Sequence, residues 1–92
     1  MIWMVGESIN FDNARALRVS GEREIDSEAM PQFDFSSVKQ CDSSALSLLL
    51  VWRRFASKKA KIVIFISVPA SLVGLATVCN VASILGIEEQ HG

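Results

Sequence analysis

The side chains best placed to do chemistry in this chain are three adjacent residues, Asp42, Ser43 and Ser44, which an apolar run follows at once. Asp and Ser are good helix N-cap residues, because a short side-chain oxygen can accept a free backbone N–H of the first turn. A serine hydroxyl at such a terminus has two uses. It can close the helix as a cap, or it can stand free as a hydrogen-bond partner or phosphate acceptor. A phosphate there is tolerated by the free amides and the helix dipole, and adds about two negative charges. Ser43 is open to both readings.

Other chemistry finds less support. His91 is the only histidine and lies in the polar C-terminal stretch, so no Ser–His or Cys–His pair is expected. No Gly-rich phosphate loop is present. Asp34 and Asp42 could pair as carboxylates, but a strand-end Asp and a helix-cap Asp are the simpler explanation. Cys41 and Cys79 form no CxxC motif and have no histidine near them in sequence, which disfavours a metal site. Two buried free thiols in a reducing compartment are expected instead. The residues point to a non-enzymatic domain without cofactor or metal.

The 92 residues suit one domain spanning the whole chain, and half of them are hydrophobic. Nine basic and ten acidic residues give a net charge of -1, which disfavours nucleic acid as a main partner. Residues 62–85 carry no charge, and about twenty apolar residues can span a bilayer. Ile62-Val63-Ile64-Phe65-Ile66 is nevertheless a β-branched and aromatic run of strand length. Ser67, Pro69 and Ser71 then mark a turn into a helix. The segment reads as a buried strand and a helix, not a membrane span, and its unbroken apolarity predicts a strand covered on both faces. Met1-Ile2-Trp3-Met4 has neither the basic nor the apolar region of a signal peptide. A cytoplasmic protein without direct membrane insertion is expected.

Around the central serines the pattern predicts strand, strand, helix, strand, helix. Residues 2–5 and 14–19 read as a hairpin, since Ala14-Arg15-Ala16-Leu17-Arg18-Val19 interleaves apolar and basic residues. Residues 21–32 read as a loop, and Phe33-Asp34-Phe35 as a short strand. A helix beginning at the serines should end near Ala60, with Arg53, Arg54, Lys58 and Lys59 complementing its dipole. The last helix should run over 71–85 and stop at Gly86. The strands flanking the central helix should pair in parallel. Steps of about 100° turn Ala45, Leu48, Leu49, Val51, Trp52, Phe55 and Ala56 inward. Leu46, Ser47, Leu50, Arg53, Arg54 and Ser57 fall on the other side. Leu46 and Leu50 are then either half-buried against a neighbouring element or part of a partner surface.

The run Asp34-Phe35-Ser36-Ser37-Val38, then Asp42-Ser43-Ser44-Ala45-Leu46 and Leu48-Leu49-Leu50, resembles the signature of STAS domains. Pro69-Ala70-Ser71-Leu72, Leu75-Ala76 and Ile84-Leu85-Gly86 are similar to the family's last strand-to-helix segment, so the likeness covers residues 33–86. It implies an α/β domain, a small mixed sheet with helices packed on one face. Two subfamilies fit. One is the STAS subunit of the bacterial phospholipid-trafficking ABC transporter (MlaB-like), which docks on the cytoplasmic ATPase and is peripheral to the inner membrane. The other is the anti-sigma factor antagonist, which binds an anti-sigma kinase and is switched by phosphorylation. In both, the hydroxyl after the motif Asp is functional, and here that residue is Ser43. The partner-binding set is then Asp42, Ser43, Ser44, Leu46, Ser47, Leu50, Arg53 and Arg54, with Ser43 the phosphorylation candidate. Ala45 stands where the family has Gly. The stretch between Gly21 and Phe33 leaves too little chain for the family's first helix and a further strand. That helix is expected to be lost or shortened, with a homodimer or a partner covering the sheet it leaves bare.

Overall fold

The computed structural model describes residues 2–87. The remaining C-terminal stretch, 88–92, holds the polar tail with His91 and lies outside the described residues. Strand β1 (Ile2–Met4) and a short β2 (Ser8–Ile9) precede helix α1 (Ala14–Ser27). Then come β3 (Gln32–Asp34), β4 (Gln40–Cys41), α2 (Ser44–Lys58), β5 (Ile64–Ile66), α3 (Ala70–Val78) and α4 (Ala82–Leu85). The α/β class predicted from the sequence is the one found.

In place of the predicted hairpin, the chain forms α1. Asn10 and Asn13 explain its start. The Asn10 side chain accepts the N–H groups of Asp12 and Asn13, and the Asn13 side chain accepts the N–H of Asn10. This reciprocal box, which resembles a capping box, closes the turn leading into α1, and the Ala14 N–H continues it by donating to the Asn10 carbonyl at 2.9 Å. Beyond it, Ala14, Leu17, Gly21 and Ile25 form the inward stripe, at helical spacing. The six residues 14–19 are too few to separate a period of two from one of 3.6, and Ile25 decides it. A helix therefore stands where one was expected to be lost, and the reason to expect a compensating dimer lapses with it.

Strand β3 lies between β1 and β5, and both pairings are parallel, so the main sheet is parallel and not the mixed sheet expected. The parallel β3–β5 pairing across α2 agrees with the sequence. Helix α1 must cross over between β1 and β3, which rules out the tight turn of a hairpin. Strands taken in sequential order, with crossovers of one hand, carry both connecting helices to the same face. Accordingly α1 packs along α2, and α3 and α4 pack against α2 and each other.

Trp3, Phe33 and Phe65 share one register row and face this helical layer. There Trp3 and Phe33 meet Trp52 of α2 edge to face, with the Phe33 and Trp52 ring centres 4.9 Å apart, and Phe65 packs edge to face on Phe33. The α1–α2 crossing is as close as it is because residue 21 is glycine. A Cβ on Gly21 would overlap the Trp52 indole ring. That indole N–H donates to the carbonyl of Arg18 at 3.2 Å, joining the two helices by a partly buried polar contact. At the other end of α1, the Lys61 ammonium donates to the carbonyls of Ile25 and Asp26, where it complements the helix dipole.

The rows Ile2–Gln32–Ile64 and Met4–Asp34–Ile66 point the other way. Ile2, Met4 and Ile64 are 51%, 48% and 42% exposed. Strand β5, expected to be covered on both faces, is covered on one. The helix predicted over 71–85 is broken by Asn80, whose left-handed backbone (φ 60°) separates α3 from α4. Gly86, also left-handed, ends α4 as expected. Among the described residues no helix is long and apolar enough to cross a membrane.

Candidate functional site

The short parallel pair of β2 and β4 sets the geometry at the start of α2. Ile9 lies in register with Cys41, and the Asp42 N–H donates to the Ile9 carbonyl at 3.1 Å. The Asn10–Asn13 box that begins α1 is thereby held beside the residues that begin α2. The three candidate residues there divide the work unequally. Asp42 is the cap: its Oδ1 accepts the Ser44 N–H at 2.8 Å and also the Ser44 hydroxyl. These two bonds to Ser44 hold the Asp42 carboxyl below the usual carboxylate range, against the opposing effect of burial and with a lesser contribution from the N–H of Phe11. Ser44 is buried beneath Asp42. Ser43 is exposed and its side chain makes no capping hydrogen bond. Because Asp42 has taken over the capping, the Ser43 hydroxyl is left to solvent.

From Ser43 an exposed ridge climbs α2 at helical spacing through Ser47, Leu50 and Arg54. Leu50 is 38% exposed. Leu46, placed on the same ridge by the sequence, is only 9% exposed and belongs to the core. Helix α2 is overlaid on two flanks, by α1 on one and by α3 and α4 on the other, so its buried arc is wider than contact with the sheet alone would make it. Ser44 and Leu46 therefore leave the partner-binding set. Arg53 stays exposed but has a structural partner, its Nε donating to the Ile84 carbonyl at 2.6 Å, which ties α2 to α4. Val51 and Phe55, expected to face inward, are half-buried at the edge of the ridge.

One residue at this end is absent from the set that the sequence suggests. Phe11 is 75% exposed, and its backbone N–H reaches the Asp42 carboxylate. An aromatic ring held in solvent is a feature of binding surfaces. Its signal in the sequence is the Asn-Phe-Asp-Asn spacing of a helix start, which the alternation just after it obscures.

The remaining candidates are accounted for locally. Asp34 accepts the N–H of Ser36 at 2.8 Å, as a strand-end carboxylate does, while Asp42 caps α2. Cys79 is exposed and Cys41 half-buried, with the Cys41 sulfur 4.0 Å from the Ser71 hydroxyl. The thiols are free but not both buried, because Cys79 falls at the exposed end of α3, just before the break at Asn80. Among the described residues no group of His, Cys, Asp and Glu could hold a metal ion. Compared with known proteins, the sequence matches no family model and no curated protein.

Proposed function

We propose that this chain is a STAS-type protein-binding domain, an MlaB-like accessory subunit of a phospholipid-transport ABC transporter. It would dock on the cytoplasmic ATPase through the Ser43 end of α2 and reach the inner membrane only through that partner. The observation that carries this reading is the division of labour at the helix start. Asp42 closes the helix and frees the Ser43 hydroxyl, which then heads an exposed ridge of Ser47, Leu50, Arg53 and Arg54. A strand that ends at Asp34 and a helix that starts just after Asp42 support the reading. The presence of α1 supports the reading, while the all-parallel main sheet departs from the mixed sheet that the resemblance implies. Docking would regulate or stabilise the ATPase by contact, with no chemistry in this domain.

Ser43→Glu should abolish co-purification with the co-expressed ATPase subunit and leave the circular dichroism spectrum unchanged. Normal co-purification by that variant would show that this surface is not the docking edge. The same free hydroxyl supports a second reading, an anti-sigma factor antagonist. Incubation with the cognate kinase and ATP should then add one phosphate at Ser43, and an unlabelled Ser43 would reject it. Phosphate on an exposed, uncapped hydroxyl would weaken partner binding without unfolding the domain.

A further inference from the structure

Beyond the Ser43 end, the outer face of α2 forms the floor of an open groove of about 900 Å³, walled by α1 on one side and α4 on the other. Its apolar floor is Leu50, Val51 and Phe55. Its charge is one-sided. Arg18, Arg53, Arg54 and Lys58 line it, and Glu22 is the one acid among its lining residues. Glu22 is already paired with Arg18 at 3.5 Å. Helix α2 itself contains no acidic residue from Ser44 to Lys58. Arg54 and Lys58 are one turn apart and, among the described residues, neither has an acidic partner. The helix dipole accounts for Lys58, which lies in the last turn, but does not call for two arginines before it. The whole chain carries a net charge of -1, so this positive strip is a local segregation of charge.

We infer that the groove receives an acidic amphipathic segment of a partner protein. The apolar side chains of that segment would lie on Leu50, Val51 and Phe55, and its carboxylates would meet Arg54 and Lys58. The concave shape selects a peptide over a bilayer, because a flat lipid surface cannot reach a floor set between two helices. The apolar floor selects it over nucleic acid, whose recognition is dominated by phosphate. This inference rests on the reading of the chain as a protein-binding domain. The groove shares Leu50, Arg53 and Arg54 with the docking ridge but extends it away from Ser43 to Val51, Phe55 and Lys58, so separate variants test the two.

The test is a display selection of random helical 15-residue peptides against the intact chain. Peptides carrying Asp or Glu beside apolar residues at i, i+3 and i+4 should be enriched. Their NMR shift perturbations should centre on Leu50, Val51 and Phe55. The double variant Arg54→Glu/Lys58→Glu should weaken them at least tenfold and Ser43→Gln should not. Failure to select peptides, selection without acidic bias, or shifts mapping elsewhere would overturn the inference. So would sedimentation of the chain with phosphatidylglycerol vesicles that is lost in the double variant, which would assign the strip to a lipid surface. If Ser43→Glu abolishes ATPase binding while no acidic peptide is selected, the docking edge stands and the groove falls. If acidic peptides are selected while Ser43→Glu still binds the ATPase, the groove stands and the docking edge falls.

Discussion

The two faces of the central sheet come from the same nine residues and have opposite characters. The row Trp3–Phe33–Phe65 is aromatic throughout and packs under the helices, where Trp52 completes a cluster of edge-to-face rings. The rows on the other side flank the polar central residues Gln32 and Asp34 with Ile2, Met4, Ile64 and Ile66. Alternation along each strand separates the faces, and topology decides which is covered. With the strands in the order β1, β3, β5, the connections never reverse direction across the sheet, so every helix goes to one side. The same order lacks the switch point at which α/β sheets open a crevice for small ligands. The functional surface has therefore to be sought on the outside of the helical layer.

Substitutions at matched positions can break this contrast or sharpen it. Trp52→Ala should have the largest effect, about 3–5 kcal/mol, since it empties the centre of the aromatic cluster and removes a bond to α1. In a small domain that is most of the total stability, and urea denaturation followed by circular dichroism measures it. Phe65→Ala should cost about 3 kcal/mol or more on the same scale, while Ile64→Ala, the next residue along β5, should cost under about 1 kcal/mol. Equal losses at the two positions would mean that the bare face is covered.

Gly21→Val should cost about 1–3 kcal/mol by overpacking, because its new methyls would enter the space of the Trp52 ring. The companion variant Gly21→Ala should destabilise the wild-type chain yet be neutral or stabilising in a Trp52→Leu background, where helix propensity favours Ala by about 1 kcal/mol. The same melting curves would read this double-mutant cycle.

The smallest effect concerns Asp42. Its carboxyl titrates lower in the folded chain, so its contribution is full above the ordinary Asp range and fades as pH falls through the folded value. The stability gap between wild type and Asp42→Asn should narrow on acidification below about pH 4. A gap that widens instead would mean that the Ser44 contacts do not hold the ionised form. Ser43→Glu, by contrast, should leave the melting curve unmoved.

Much of the fold is legible in the sequence because it depends on neighbours along the chain. The start of α2 at the serines, the short strand around Phe33, the parallel strand after α2 and the stop at Gly86 follow from caps, apolar runs and a left-handed glycine. The alternating look of residues 14–19 misleads because a short window satisfies two periods at once. The Asn10–Asn13 box just before it is the sequence signal that favours a helix. Between Asp42, Ser43 and Ser44 the residue types cannot choose a cap, since all three can accept a backbone N–H. Packing chooses, by turning Ser44 inward and leaving Ser43 out.

Amino-acid order by itself determined where the helix carrying the candidate site begins, and that an aspartate and two serines stand at its head. Only the tertiary arrangement decided which hydroxyl meets solvent, that Leu46 sinks while Leu50 stays out, and that one side of the sheet is left bare. The reason is one of range. Capping and periodicity act within a turn or two of chain, whereas exposure depends on which distant element lies alongside, and here α1 and α4 set the limits of the open face of α2.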